Sequence, residues 1–197
     1  MENETNEKKE RGETGEPVEP DTTSTKFDLR QFVKSWVLPL VAEVAVLLVI
    51  FNFVINITYV PTGSMIPTIA EHSVLISLRE YNTDELQRGE IYSFHSEELD
   101  KTLIKRLIGL PGETVRIEGN GNIYINDVRL DEPYVKNQEY GFIGTFQVPE
   151  DCCFFLGDNR SGSSDARHWD NPYIKTDEVI SRAVFTVFPF TDFGFLE

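Results

Sequence analysis

Residues 36–57 read WVLPLVAEVAVLLVIFNFVINI, an apolar run that holds one acid and no base. As a helix, 22 residues span roughly 33 Å, about the hydrocarbon thickness of a bilayer. A chain with such a run folds on one side of a membrane after it and on the other side before it. Pro39 sits near its start, where a first-turn proline is tolerated. An acid within lipid is costly, so Glu43 is read as lying a turn or so from the cytoplasmic end, reaching headgroups or water. Lys26, Arg30 and Lys34 precede the run, and the next base is Arg79. The positive-inside rule then puts the N-terminus in the cytoplasm and everything after residue 58 outside, on a single-pass anchor in the cell membrane. The run is too long and starts too late for a cleavable leader, and no small-residue cleavage site follows it.

The 197 residues suffice for one soluble domain behind that anchor. A net charge of −15 argues against nucleic acid as a partner, which needs a basic footprint. The acidity is uneven: the first 25 residues hold eight acids, three bases and no aromatic residue. Such a segment buries too little to offset its ordering entropy, so residues 1–25 are expected to be a disordered acidic tail. A basic juxtamembrane segment (26–35), the anchor (36–57) and a β-rich domain (58–197) follow. Cys152 and Cys153 are adjacent and fit neither a disulfide framework nor metal-ligand spacing. Strand neighbours point to opposite faces, so one thiol is expected in the core and the other exposed. His72, His95 and His168 lie far apart, so neither a metal nor another cofactor is expected.

From Tyr59 onward the texture is β. Short apolar or alternating runs are separated by Gly, Pro and Asn. Expected strands are 74–78, 90–94, 102–108, 114–117, 122–125, 144–148, 153–156 and 183–188. Gly119-Asn120-Gly121-Asn122 is a hairpin turn signal. The polar stretch 160–173 reads as a loop. The expected class is mainly β: coiled antiparallel sheets or a partial barrel behind one N-terminal transmembrane helix.

Two residues carry candidate chemistry. Ser64 sits between Gly63 and Met65, just past the apolar run. Lys105 sits inside Leu103-Ile104-Lys105-Arg106-Leu107-Ile108. A serine hydroxyl is a weak nucleophile until a neighbour takes its proton, and lysine does so only when neutral. Burial lowers a lysine pKa by up to about 3–5 units. Arg106 on a strand points away from Lys105 and is free to pair with an acid. Gly63 is expected to allow an unusual turn and to clear space for a substrate carbonyl. A Ser/Lys hydrolase acting on membrane-bound substrates fits these features.

Three blocks then coincide: Pro61-Thr62-Gly63-Ser64-Met65-Ile66-Pro67-Thr68, Lys105-Arg106-Leu107-Ile108-Gly109-Leu110-Pro111-Gly112-Glu113, and Gly157-Asp158-Asn159-Arg160-Ser161-Gly162-Ser163-Ser164-Asp165-Ala166-Arg167. In this order, behind one anchor, they resemble the motif set of bacterial type I signal peptidases over about residues 32–193. The resemblance implies a membrane-anchored serine endopeptidase that removes signal peptides from exported preproteins. It implies cleavage after small residues of the Ala-x-Ala type, and we expect a monomer at the lipid bilayer. It makes Ser64 the nucleophile, Lys105 the general base, and Ser163 a hydrogen-bonding partner that orients the lysine. It makes the Thr62 hydroxyl part of the oxyanion hole and gives Arg106, Asp158, Asp165 and Arg167 supporting roles. Ala166 departs from the pattern, standing where a serine is usual.

Other assignments remain. A Ser/His enzyme would need a histidine where Lys105 stands. A peptidase dedicated to one secreted or pilin-like partner, or an inactive anchored β-domain that binds a partner, shares the same anchor. A panel of unrelated preproteins separates these from a general processing enzyme. Ile66 and Leu103 are candidates for the substrate pockets.

Overall fold

The computed structural model describes residues 28–196, and the disorder expected for residues 1–25 lies outside them. The chain divides into two compact units, Met1–Ala42 and Glu43–Glu197. The described part of the first is helical from Leu29. Asp28 caps it, its carboxylate accepting from the N–H groups of Arg30 and Gln31. Helix α1 (Leu29–Phe32) runs through a π turn at Val33–Val37 into α2 (Leu38–Phe53). Together they make a 25-residue helix whose most apolar 18-residue stretch has a mean hydropathy of 2.2.

The helix starts earlier and stops earlier than the 36–57 expected. Asp28 supplies the start, and β1 (Ile55–Val60) supplies the stop. Ile55, Ile57, Thr58 and Val60 are β-branched and pair in register with β2 (Ser73–Arg79). Hydropathy alone does not separate an apolar strand from the end of an apolar helix.

The remaining strands are β3 (Ile91–Ser96), β4 (Lys101–Gly109), β5 (Thr114–Ile117), β6 (Ile123–Ile125), β7 (Val128–Arg129), β8 (Gly144–Gln147), β9 (Cys152–Leu156), β10 (Tyr173–Lys175), β11 (Val179–Phe188) and β12 (Gly194–Phe195). Every described pairing is antiparallel. The larger sheet runs β1-β2-β11-β3-β4-β9-β10 with β12 on β11, and the smaller runs β7-β6-β5-β8. All eight expected strands are present, β11 beginning four residues early at Val179. The expected hairpin joins β5 to β6, with Gly121 at φ 85°. Strands β1, β7, β10 and β12 were not anticipated, three of them being too short for a period to show.

Two apolar clusters fill the β domain. The larger centres on β4, β5, β6 and β9. Strand β9 is covered on both faces: Phe154 meets Phe146 of the smaller sheet at 4.6 Å between ring centroids, and Phe155 meets Phe94 at 4.3 Å. Hence both Cys152 and Cys153 are buried and unpaired, not one in and one out. Burial pushes the Cys152 thiol up to about 11 and Cys153 up to about 12, which makes both poor nucleophiles. The smaller cluster packs Val60, Met65, Ile69, Leu75, Ile91, Ile104 and Ala183 beneath the Ser64 turn.

One sheet face is apolar and open. Ile57 pairs with Ile76, Ile76 with Phe185, and Phe185 with Phe195. Tyr59 pairs with Val74 and Val74 with Phe188. Residues in register share a face. Ile57 is 64% exposed and Phe195 82%, and Tyr59 and Phe188 are exposed beside them.

Candidate active site

Ser64 sits on a one-turn 3-10 element, Gly63–Met65, entered through the extended residue Thr62. Met65 is fully buried in the smaller cluster, and the Ile69 N–H donates to its carbonyl at 3.0 Å. The turn is thus pinned by the side chain next to the serine. Gly63 opens that one-turn element without a left-handed φ. A Cβ there would stand 2.8 Å from Ile66 Cδ1, so the glycine makes room for that side chain.

Strand β4 brings Lys105 to this turn. Its Nζ stands 2.6 Å from Ser64 Oγ, and both side chains are buried. The Thr62 hydroxyl lies 3.4 Å from Ser64 Oγ. Burial lowers the Lys105 ammonium from 10.5 to about 8, against the charges of Asp165 and Asp158, which pull it back up. The neighbouring Arg106 points elsewhere, as strand alternation requires. Its Nε and Nη2 hold Asp158 at 2.8 and 2.6 Å, and Asp158 in turn accepts from Thr68 Oγ1 at 2.6 Å. Arg106 also donates to the Gly89 carbonyl.

The segment after β9 closes the site. The Asn159 N–H donates to the Ser64 carbonyl at 3.0 Å, and its side-chain amide donates to the Gly63 carbonyl at 3.0 Å. Gly157 lies so close that a Cβ would sit 2.5 Å from the Ser64 carbonyl oxygen and 2.2 Å from Ser163 Oγ. No larger residue fits there without moving the turn. Asp165 is fully buried. It accepts from the Gly157 N–H at 2.9 Å and from Nε and Nη2 of Arg167 at 2.8 Å each. Burial alone would raise its pKa, but these donors outweigh it and hold the carboxyl below its ordinary value. Arg167 continues to Glu139 at 2.5 Å and to the Arg160 carbonyl at 2.8 Å.

All eight sequence-derived residues gather around this turn or the segment that clamps it. The hydrogen bond expected between Lys105 and Ser163 is not formed: Ser163 Oγ is buried without a partner. It lies near enough to Asp165 to favour that carboxylate, yet its geometry falls short of a hydrogen bond. Leaving a buried hydroxyl unpaired costs about 1–3 kcal/mol, so this donor is poised for a partner. No motif or periodicity marks Glu132, Tyr134 or Glu139, which the fold brings in from loops, and Thr68 closes the first motif block without an expected role. Asn159 lies in the third motif block, where no role is expected for it.

A cleft of about 390 Å³ opens beside Lys105, lined by Ile57, Tyr59, Thr62, Leu103, Ile104 and Ile180 among others. Of the two pocket candidates, Leu103 lines this cleft, whereas Ile66 packs over Gly63. Along Lys101–Lys105, β4 pairs with β3 on one side, and β9 joins the other side only from Arg106. A stretch of strand edge therefore faces the cleft.

The signal peptidase, peptidase S26, family model matches residues 33–188. A signal peptidase I of Leptolyngbya laminosa is 36% identical over 77% of this chain and 78% of its own. A probable signal peptidase I-2 of Synechocystis is 34% identical over 80% and 74%. A signal peptidase I of Bacillus caldolyticus is 30% identical over 80% and 92%. By these matches the chain belongs to the signal peptidase family, peptidase S26, and is a serine endopeptidase of the signal peptidase I type.

Proposed function

We propose that this protein is a membrane-anchored endopeptidase that removes signal peptides from exported preproteins by a Ser64 nucleophile and a Lys105 general base. The observation that carries the assignment is the 2.6 Å approach of Lys105 Nζ to Ser64 Oγ inside a buried site. Neutral Lys105 takes the Ser64 hydroxyl proton as Oγ attacks the scissile carbonyl carbon. The tetrahedral oxyanion is held by the Ser64 N–H and the Thr62 hydroxyl; losing one such donor costs about 10²–10³ in rate. The Lys105 ammonium then protonates the departing amine, which leaves as the mature N-terminus. Neutral again, Lys105 takes a proton from water as that water attacks the acyl ester. Returning the proton to Ser64 Oγ releases the signal peptide's carboxylate. Ser163 is the partner proposed to steady Lys105 through this cycle.

The open edge of β4 suits an extended substrate that adds as a strand and presents alternate side chains to the cleft. Ile57, Leu103, Ile104 and Ile180 leave apolar, shallow room there, in keeping with small residues of the Ala-x-Ala type. The helix Leu29–Phe53 is the anchor, with its N-terminus in the cytoplasm and the β domain outside. The chain acts as a monomer on the cell membrane. The apolar face of β1, β2, β11 and β12 begins two residues beyond that helix, which supports a β domain that rests on the lipid surface. Enzyme and signal peptide then meet in two dimensions with reactive parts at one depth.

The test is cleavage of an Ala-x-Ala preprotein in liposomes by wild type, Ser64→Ala and Lys105→Ala between pH 6 and 10. The base works only when neutral, so the rate rises with pH through about 8. Both variants are expected to be inactive. Cleavage that survives Lys105→Ala moves the base elsewhere and overturns the mechanism.

A further inference from the structure

Glu132 lies in none of the three motif blocks and on no strand, in the segment between β7 and β8. Its side chain is nevertheless only 6% exposed. Two bonded routes meet at its carboxylate. In the first, Oε1 and Oε2 accept from Arg160 Nη2 at 2.5 Å and Nη1 at 3.2 Å. Arg160 Nε donates to the Gly157 carbonyl at 2.9 Å, which holds the turn that presents Asn159 to Gly63 and Ser64. In the second, Tyr134 Oη donates to Glu132 Oε1 at 2.9 Å. The Tyr134 ring stacks 3.9 Å from the Arg106 guanidinium, Arg106 holds Asp158, and Asp158 holds the Thr68 hydroxyl. One route ends on the backbone at Ser64 and the other four residues beyond it.

We propose that Glu132 is a positioning residue for Ser64, a single buried carboxylate that braces the nucleophile turn from both sides. The proposal rests on Ser64 and Lys105 acting as nucleophile and base. The turn has little rigidity of its own: one 3.2 Å bond from the Ile66 N–H to the Gly63 carbonyl closes it. Its shape comes from what is packed and bonded around it. Neither route touches the cleft or the open edge of β4, so loss of the brace falls on kcat and spares KM. A misplacement of about 1 Å at a reacting group costs roughly 10²-fold in rate. A residue that merely tied down its own segment would need Arg160 alone, whereas Glu132 also fixes Tyr134 beneath Arg106.

The experiment measures kcat, KM and the thermal midpoint of the full-length enzyme on the Ala-x-Ala preprotein in detergent. Variants are Glu132→Gln, Tyr134→Phe, Arg88→Gln and Ser64→Ala. Glu132→Gln keeps the shape and leaves Arg160 unmatched; kcat is expected to fall roughly 10–100-fold with KM within about twofold. Tyr134→Phe keeps the ring on Arg106 and loses only the hydroxyl bond; a fall of roughly three- to tenfold in kcat is expected. It decides the matter if Glu132→Gln does not fold. Arg88→Gln breaks another largely buried pair, with Glu113 at the far end of β4, and is expected to lower the midpoint while leaving kcat unchanged. Equal kcat for wild type, Glu132→Gln and Tyr134→Phe sinks the brace, as does a loss that Arg88→Gln reproduces. With Ser64→Ala inactive, that outcome removes the brace alone; cleavage by Ser64→Ala removes the nucleophile assignment and the brace with it.

Discussion

Two regions of the β domain depart from the ordinary partition of charge and apolar surface, in opposite directions. Around Ser64, Lys105, Arg106, Asp158, Arg160, Asp165 and Arg167 are all buried. On β1, β11 and β12, Ile57, Tyr59, Phe188 and Phe195 stand open. Taking a charge out of water costs several kcal/mol per ion, which pairing has to offset. Leaving large apolar groups in water forgoes about 1.5–3 kcal/mol apiece. Neither region is what stability alone selects. The first keeps Lys105 out of water and lowers its pKa to about 8, which suits the general base proposed for it. The second is the face proposed to rest on lipid. The two meet at the cleft, where Ile57 and Tyr59 share a lining with Lys105.

The comparison breaks if the buried charges prove dispensable. Arg106→Met leaves Asp158 unpaired at 0% exposure, and a loss of about 3–5 kcal/mol of stability is expected by urea unfolding. Lys105→Met sharpens it. The lysine holds its proton up to 10.5 when unfolded and only to about 8 when folded, so the unfolded state binds more protons between those values. Burying the charge therefore destabilises the wild type fully below about pH 8 and not at all above about 10.5. Methionine removes that penalty: a gain of about 3 kcal/mol near pH 7, fading across the same window, with activity lost. Unchanged stability across pH would show that Lys105 is not desolvated.

The open face is tested by contrast of media. Phe188→Ser with Phe195→Ser is expected to lower preprotein cleavage in liposomes by about tenfold, or about 1.4 kcal/mol, and to leave cleavage of a short peptide in detergent unchanged. Equal loss in both media would make these rings part of the fold. The smallest effect belongs to an exposed pair. Lys175 meets Glu97 at 3.0 Å with both side chains more than half exposed, and Lys175→Ala is expected to leave the thermal midpoint unchanged.

Much of the fold was legible because it rests on local pattern. Alternating runs at Thr114–Ile117 and Ile123–Ile125, with Gly121 between, announce a hairpin that the structure contains. Strands of two or three residues, such as Val128–Arg129 and Tyr173–Lys175, carry too few residues for a period and exist only because a neighbour pairs with them. The helix end was misplaced for a related reason. Ile55–Val60 is apolar enough for a membrane, and only pairing with Ser73–Arg79 makes it a strand. Cys152 and Cys153 mislead in the same way, since alternation gives opposite faces but not whether both are covered.

By itself the sequence determined an apolar span of membrane length, a β-rich domain after it, and the residues Ser64 and Lys105, because composition and motif order are properties of the chain. Tertiary structure alone decided that Lys105 Nζ reaches Ser64 Oγ, that Ser163 is left unpaired and that Glu132 stands behind both Arg160 and Tyr134. Lys105 lies 41 positions from Ser64, and Glu132 lies 28 from Arg160. At such separations nothing local favours one partner over another, and contact is set by which strands pair and which clusters bury.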